Sequence, residues 1–270
     1  MSKKIFLITG TSGFIGSNLH KYFLEKKISC LSVSRKKIDS LDINVINYQE
    51  VIKLYNENTF LIHFAGDNKL INKEEFETIE VLSNTFKEKM YFISSGQVYG
   101  LSHEYDNTEK SPLDDHSEYA KLKILAENIV ASNNGRILRL SNIYGKGMSK
   151  DTVWYHILEQ SEKNNSIITL QNKAAIRDFL YIDDLCSLLC KIVTSEKCFD
   201  IINVGSGKGI SLSTLAEIIC EITNPDNKIR EIISENDIKI RNVLDVSLAR
   251  VNYNWEPKTS IIDGIKFWLS

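Results

Sequence analysis

The sequence predicts an α/β protein built on a doubly wound parallel sheet, with a small discontinuous lobe at its side. An unbroken apolar run at residues 5–8 leads through glycines at positions 10, 13 and 16 into a stretch whose apolar residues lie three and four positions apart. The run is typical of a strand buried on both faces, and the spacing after it indicates a helix. Alternation of such strands and helices is typical of a parallel sheet. Further apolar runs alternate with helical patterns at residues 28–34, 60–64, 90–95 and 136–140.

Composition sets the broad class of the protein. The chain has 270 residues, of which 43% are hydrophobic and 25% are charged, and its formal net charge is -2. These values indicate an ordinary globular protein and give no reason to expect nucleic acid or an anionic membrane as a partner. No apolar run approaches transmembrane length, and the first apolar run is too short for a secretion signal. We therefore expect a cytoplasmic protein.

The cysteines and histidines show no spacing typical of a metal or redox site. The five cysteines include no C-x-x-C pair, and the five histidines are scattered. Cys186 and Cys190 lie four positions apart on a leucine-rich helical stretch. Buried, reduced thiols are therefore the expectation for the cysteines, and no metal cofactor is expected.

The first strand, the glycine turn and the first helix predict a site for a pyrophosphate group. Glycine lets the backbone turn tightly and approach a ligand, and a helix N-terminus presents free N–H groups. The G-x-x-G-x-x-G spacing resembles the variant found in the extended short-chain dehydrogenase/reductase family of nucleotide-sugar epimerases, dehydratases and reductases. An ordinary strand–helix turn is the alternative, because a glycine triplet alone is a weak signal. The residues expected to contact the cofactor here are Gly10, Ser12, Gly13, Phe14, Ile15 and Gly16.

Arg35 follows the second predicted strand, near where a Rossmann fold places the residue that contacts the ribose. An acidic residue there would hydrogen-bond the 2′-hydroxyl of NAD. The planar guanidinium of an arginine would instead donate hydrogen bonds to the 2′-phosphate of NADP. The sequence therefore favours NADP(H) and leaves NAD(H) open. A basic cluster with Lys36 and Lys37 at an exposed strand end is the alternative explanation.

The fourth predicted strand ends in small residues. A short third strand at residues 45–47 and a helix at 49–55 are expected before it. His63 to Gly66 resembles the family's H-x-A-[AG] segment, in which small residues, here Ala65 and Gly66, let the cofactor lie across the sheet edge. The connection from Gly66 to the helix predicted at 73–87 is shorter than in the family, and Asn72 is the nearest match to the asparagine that often begins that helix.

The fifth predicted strand, at residues 90–95, carries the first catalytic candidate. Residues 94–100 resemble the family's S-S-x-x-V-Y-G motif, which implies that Ser95 is catalytic. Ligands bind at the carboxyl ends of parallel strands, where Ser95 lies. Family members that remove water from a sugar usually carry Asp-Glu at the next two positions. Here these positions are Gly96 and Gln97, which cannot titrate, so the sequence argues against a 4,6-dehydratase.

Tyr119 and Lys123 form a Y-x-x-x-K motif whose spacing places both side chains on one helix face. A tyrosine phenol has a pKa of about 10, and a nearby ammonium group lowers that pKa. The motif resembles the family's catalytic pair, which implies that Tyr119 and Lys123 also contact the cofactor, with Lys123 holding the nicotinamide ribose. Tyr22 and Lys26 repeat the spacing, but no strand-end serine precedes them, so the context selects Tyr119. A surface helix pair is the alternative.

The last part of the chain predicts the substrate side. After a strand at 136–140, Asn142 belongs to a match with the family's R-x-x-N-x-Y-G motif, which implies a substrate contact. Arg177 begins a match with R-D-F-x-Y-[VI]-x-D, which implies a contact with nucleotide-sugar phosphates; a structural salt bridge to Asp178 or a neighbour is the alternative. The remaining elements are expected to be a strand at 199–204, a helix at 212–222 capped by Ser211, a helix-like stretch at 244–250 and a last helix at 261–269.

The resemblance covers the whole chain and implies a dinucleotide-binding domain at residues 1–145 and about 178–206, with a substrate lobe at about 146–177 and 207–270. We expect NADPH-dependent reduction of a keto group, at C4, of a nucleotide-activated 6-deoxy sugar. Ser95, Tyr119 and Lys123 are the catalytic candidates, and Gln97, Asn142 and Arg177 are the substrate candidates. A nucleotide-sugar epimerase with retained NAD(P) and a non-catalytic cofactor-binding module are the alternatives. A homodimer stays open, since members of the family often dimerise.

Overall fold

The computed structural model describes residues 3–34, 43–44, 48–64, 73–101, 104–162, 167–223, 231–234 and 240–270. The strands are β1 (Ile5–Thr9), β2 (Cys30–Ser34), β3 (Ile43–Asn44), β4 (Thr59–His63), β5 (Met90–Ser95), β6 (Arg136–Leu140), β7 (Asn142–Tyr144), β8 (Ile167–Leu170), β9 (Ile176–Tyr181), β10 (Ile201–Val204), β11 (Gly209–Ser211), β12 (Glu231–Ser234) and β13 (Arg241–Asn242). The helices are α1 (Phe14–Glu25), α2 (Tyr48–Lys53), α3 (Lys73–Phe86), α4 (Glu118–Ser132), α5 (Val153–Glu162), α6 (Ile182–Thr194), α7 (Leu212–Thr223), α8 (Ser247–Tyr253) and α9 (Ile261–Leu269).

Within the described residues, seven strands form the main sheet, in the order β10-β6-β5-β4-β1-β2-β3, and every neighbouring pair is parallel. The chain runs outward from β1 to β3 and then returns to the other side of β1 to add β4, β5, β6 and β10. This order confirms the predicted doubly wound sheet. The direction of winding changes between β1 and β4, and the crevice beyond their carboxyl ends is where such sheets bind ligands.

The main sheet is buried on both faces because its central strands are largely apolar. Phe6 and Ile8 pack into one core cluster with residues of α1 and α6, whereas Leu7 packs into a second cluster with residues of α3 and α4. This alternation follows from the period of two along a strand. Helices therefore cover both faces, and the residues at the carboxyl edge are left for chemistry.

A second, smaller sheet has the order β11-β9-β13, with β7 also pairing with β9. Another pair, β8 and β12, also lies outside the main sheet. The strand predicted at residues 199–204 is β10 and belongs to the main sheet. The division of the chain into two lobes at the boundaries given above stays a prediction.

The predicted elements match the observed ones closely except near residue 244. Ser211 caps α7 as predicted, accepting a hydrogen bond from Thr214 N at 3.0 Å, and the last helix lies at Ile261–Leu269 as predicted. The helix-like stretch predicted to begin at Leu244 was wrong, because α8 begins at Ser247. The preceding backbone is held in an extended form, since Asp245 N donates to Asn107 O at 2.8 Å. The third strand predicted at 45–47 lies outside the described residues.

All five cysteines have free thiols. Cys186 and Cys220 are buried as expected, but Cys198 is exposed, so the expectation of buried thiols was wrong for that residue. The described segments contain no helix long and apolar enough to cross a membrane. Within the same segments, no three His, Cys, Asp or Glu side chains gather where they could hold a metal ion.

Candidate active site

The glycine turn between β1 and α1 has the shape that a pyrophosphate needs. Gly10 has a φ of 70°, a left-handed value that favours glycine, and Gly13 N donates to Gly10 O at 2.9 Å. A Cβ on Gly16 would lie 2.5 Å from Gly10 O, so no side chain fits where the helix packs on the turn. No side chain caps the N-terminus of α1 at Gly13. The N–H groups of the first turn therefore remain for an anionic ligand.

The carboxyl ends of β1 and β4 are joined by a threonine and a histidine. The Thr9 hydroxyl accepts from Phe64 N at 3.1 Å and lies 3.0 Å from His63 Nδ1. Burial lowers the pKa of His63 to about 4, with a smaller contribution from the charge of Lys123. Arg35, Ala65 and Gly66, three of the expected cofactor contacts, lie outside the described residues.

Ser95 ends β5 and begins the next turn. Its hydroxyl accepts from Gln97 N at 3.2 Å, which caps the short 3-10 turn that follows the strand. Burial raises the pKa of the Tyr119 phenol, and the neighbouring Ser95 side chain opposes this only in part. Tyr119 is therefore a neutral phenol held against the serine.

Lys123 lies one helical turn after Tyr119 and faces the same strand. Its Nζ donates to Ile93 O at 3.4 Å and lies 5.2 Å from the ring centroid of Phe92 and 5.9 Å from that of Tyr119. Burial lowers the pKa of Lys123, and the charges of Glu75 and Glu127 oppose this. We expected Lys123 to lower the pKa of Tyr119. In the structure that pKa is raised, because burial of the phenol is the largest influence on it.

A buried polar network lies directly behind the catalytic candidates. Glu127 accepts from Ser94 Oγ at 2.5 Å and from Arg139 Nη2 at 2.6 Å. Arg139 Nη1 also donates to the Tyr99 hydroxyl at 2.9 Å, and that hydroxyl donates to Asn203 Oδ1 at 2.7 Å. Our sequence analysis missed this network. The available signals were an arginine inside an apolar strand and a glutamate four positions after Lys123 on a helix face.

The second sheet brings further polar side chains to the same region. Asn242 Nδ2 donates to Gly96 O at 2.9 Å and to Gly100 O at 2.7 Å, so β13 fixes both ends of the turn after Ser95. Sequence analysis gave Asn242 no role. The pairing of Asn242 with Arg177 in adjacent strands places both side chains on one face of that sheet. Gln97 is exposed on the same turn.

Arg177 and Asn142 occupy neighbouring strands. Asn142 Nδ2 donates to Asp178 O at 3.0 Å, so part of its side chain bonds the neighbouring strand. Arg177 is half-buried, burial lowers its pKa, and within the described segments it has no carboxylate partner. The structural salt bridge from Arg177 to Asp178 does not form, because the buried Asp178 carboxylate accepts from Ser206 and Gly207 instead.

The class of protein follows from where these side chains meet. A serine, a tyrosine and a lysine gather at the carboxyl edge of a parallel sheet, and an uncapped glycine turn lies at the point where the winding changes. These features define an NAD(P)-dependent oxidoreductase or epimerase of the extended short-chain dehydrogenase/reductase type. Residues 6–205 match the model of the NAD dependent epimerase/dehydratase family, and the chain belongs to that family.

Relatives and solved structures agree with this assignment. The chain is 29% identical over 302 residues to the dTDP-4-dehydro-6-deoxyglucose reductase of Escherichia coli, covering 96% of this chain and 94% of that protein. It is 26% identical over 294 residues to the CDP-abequose synthase of Salmonella muenchen, covering 100% and 98%. The dTDP-glucose 4,6-dehydratase of Bacillus anthracis, solved with NAD, superposes with a TM-score of 0.83 at 18% identity, over 99% of this chain and 96% of that chain. At that identity the likeness shows the fold alone.

Proposed function

We propose that the protein reduces a keto group, at C4, of a nucleotide-activated 6-deoxy sugar with NADPH. The observation that carries this proposal is the neutral Tyr119 phenol held against Ser95 at the end of β5, followed by Gly96 and Gln97. A neutral phenol is suited to donate a proton to a carbonyl oxygen that gains charge. Gly96 and Gln97 leave the positions after Ser95 without the acid and base that removal of water would need.

Each side chain has one role in the proposed reaction. Tyr119 donates its proton to the carbonyl oxygen, and Ser95 donates a hydrogen bond to the same oxygen. Lys123 holds the ribose beside the nicotinamide and places a positive charge near the phenol. NADPH, when bound, supplies the hydride that the carbonyl carbon receives. The ammonium group and the serine thus stabilise the charge that develops when the carbonyl is reduced.

The cofactor and substrate have distinct proposed contacts. The turn at residues 10–16 fits a pyrophosphate because Gly16 is a glycine and no side chain caps the N-terminus of α1. Arg35 supports NADP(H) over NAD(H) through its sequence position. Arg177 is assigned to the phosphates of the nucleotide sugar, since its guanidinium is half-buried and without a described carboxylate partner.

The names of relatives support this substrate class. The reductase of Escherichia coli acts on a dTDP-4-dehydro-6-deoxyglucose, and two further relatives are a GDP-6-deoxy-D-talose 4-dehydrogenase and a dTDP-6-deoxy-L-talose 4-dehydrogenase (NAD(P)(+)). All three names describe chemistry on a nucleotide-linked deoxy sugar, and the two dehydrogenase names specify position 4. We assign the same reaction class to this protein, and we assign the protein to the cytoplasm.

The test uses purified protein stripped of bound nucleotide. It is supplied with a dTDP-4-keto-6-deoxy sugar and NADPH, and the absorbance of NADPH is followed together with the sugar product. Loss of one NADPH for each reduced sugar supports the proposal. Interconversion of two sugar epimers without net loss of NADPH, or purification with tightly bound NAD, would overturn it in favour of an epimerase.

A further inference from the structure

Glu127 occupies a position that the proposed reaction does not yet explain. Tyr119, Lys123 and Glu127 are four positions apart in succession, so they lie along one face of α4. Glu127 is buried, with 3% of its surface exposed. A buried carboxylate is costly unless it is paired and hydrogen-bonded, so its partners indicate what it holds together.

The partners of Glu127 come from the two central strands beside α4. Ser94 Oγ on β5 donates to Oε1 at 2.5 Å, and Ser94 directly precedes Ser95. Arg139 on β6 donates through Nε at 3.1 Å to Oε1 and through Nη2 at 2.6 Å to Oε2. These bonds fix α4 against the end of β5. They therefore fix Tyr119 against Ser95, since each of the two lies on one of the bonded elements.

Packing alone does not require an ion pair here. A buried pair is often no more stabilising than apolar residues of similar volume. The carboxylate offers something that apolar residues lack, which is a negative charge one helical turn from the Lys123 ammonium group. Burial disfavours that ammonium group, and Glu127 opposes the effect.

The other groups that face Lys123 can be named. Glu75 approaches from α3 and also favours the charged lysine, and Tyr119 lies on the same helix as a neutral phenol. His63 approaches from β4, but its pKa of about 4 leaves it neutral at ordinary pH. Arg139 on β6 bonds Glu127 and is not among the charges that shift the pKa of Lys123. Two carboxylates, Glu75 and Glu127, therefore oppose the desolvation of Lys123, and of these Glu127 also bonds the strand that carries Ser95.

We propose that Glu127 is a positioning residue with two effects: it fixes the register of α4 against β5, and it places a buried negative charge one helical turn from the Lys123 ammonium group. This rests on the proposed function only where turnover is concerned. The charge effect can be measured without substrate or cofactor.

The experiment follows the Lys123 titration by NMR, in protein labelled with ¹³C at the lysine ε-carbon and assigned with Lys123→Arg. Four variants are compared with the unmodified protein: Glu127→Gln, Glu127→Gln with Arg139→Gln, Ser94→Ala and Glu75→Gln. The double variant removes the whole ion pair, so it remains informative if Glu127→Gln alone fails to fold with an unpaired arginine. Ser94→Ala removes a register bond without a change of charge. Glu75→Gln removes a charge from a different helix.

We expect the Lys123 midpoint to move to lower pH in both Glu127 variants and in Glu75→Gln, and to stay unchanged in Ser94→Ala. At a pH where Lys123 is protonated in every variant, Glu127→Gln and Ser94→Ala should lower kcat between about 10-fold and 100-fold with little change in KM, because Tyr119 is misplaced. Glu75→Gln should keep most of its kcat at that pH.

An unchanged Lys123 midpoint in the folded Glu127 variants would overturn the charge effect. A shift in Ser94→Ala as large as in Glu127→Gln would assign the effect to loss of register instead. An unchanged kcat in Ser94→Ala and Glu127→Gln would overturn the register effect. If the unmodified protein reduces no keto sugar, the proposed function fails, yet the Lys123 titration still decides the charge effect.

Discussion

Two Tyr-x-x-x-Lys pairs occur in this chain, and the contrast between them shows what makes such a pair chemically useful. At the end of α1, the Nζ of the C-cap residue Lys26 lies 5.5 Å from the ring centroid of Tyr22; on α4, Lys123 Nζ lies 5.9 Å from that of Tyr119. The internal geometry of the two pairs is nearly the same, because four-residue spacing on a helix sets it. The difference therefore has to come from their surroundings.

The surroundings differ in burial and in the partners they supply. Lys26 ends α1 at the surface and is exposed. Lys123 is half-buried against β5, where it donates to Ile93 O, and Tyr119 lies close enough to Ser95 for the serine to lower its pKa. A motif thus fixes the distance between two side chains, whereas the position of its helix against the sheet decides whether they can act on a ligand.

The largest expected effect is on turnover. Tyr119→Phe should lower kcat by about 10³-fold, since only the proton donor is removed, and general acid catalysis contributes about 10² to 10⁴. Cofactor affinity should stay close to that of the unmodified protein, as measured by fluorescence titration. Tyr22→Phe is the matched control and should change kcat less than about twofold, because Tyr22 is outside the crevice. If Tyr22→Phe kept its fold but lost activity while Tyr119→Phe remained active, our choice between the two motifs would be wrong.

The second effect is on stability and comes from His63, which lies beside Lys123. Burial depresses the pKa of His63 from 6.5 to about 4, so the unfolded chain binds a proton at a pH where the folded chain does not. Stability should therefore fall as the pH falls from about 6.5 to about 4, by up to about 3 kcal/mol at about 1.4 kcal/mol per pKa unit. Urea unfolding at several pH values measures this.

The control for His63 is a pair of variants. His63→Asn should reduce the pH dependence of the unfolding free energy, and His116→Asn, which replaces an exposed histidine, serves as the comparison. Equal slopes for the unmodified protein and His63→Asn would show that His63 does not titrate as described.

The third effect is on cofactor choice. Arg35→Ala should weaken NADPH binding by about 2 kcal/mol, the value of a charge-assisted hydrogen bond, and should leave NADH binding nearly unchanged. Isothermal titration with both cofactors measures the difference, and Lys37→Ala is a matched control for loss of a nearby charge. Equal affinities for NADPH and NADH in the unmodified protein would contradict the assignment.

The smallest effect concerns how the two helices begin. Ser117 caps α4 by accepting from Ala120 N at 3.1 Å, whereas Gly13 leaves the start of α1 uncapped. Ser117→Ala should lower the free energy of unfolding by about 1 kcal/mol, the usual value of an N-cap. Thermal unfolding measures this, with Ser132→Ala at the other end of α4 as a control. No loss in Ser117→Ala would show that the cap is dispensable.

Local sequence predicted most of the fold but only part of the site. Apolar runs and helical spacing located β5, α4 and α9, because these patterns depend on residues close in the chain. Ser95, Tyr119 and Lys123 could be chosen because a strand end and a helix face fix their positions. Asn242 could not, since Gly96 and Gly100 lie far away in the chain and only the folded protein brings them to it. Arg139 left only a weak signal, an arginine inside an apolar strand. Leu244 shows the same limit, because its bonds to other segments override a local helical pattern.

Asn242 has a consequence for the order in which the protein is made. It lies 146 positions after Gly96, whose carbonyl it binds. On the ribosome, β5 and α4 emerge long before the residue that holds the turn after Ser95, so that turn gains its last hydrogen bonds late in synthesis. A nascent chain that has already formed the first strands of the sheet would therefore still lack the bonds that hold the turn after Ser95. We expect a chain arrested before residue 242 to lose more of its turnover than of its cofactor affinity.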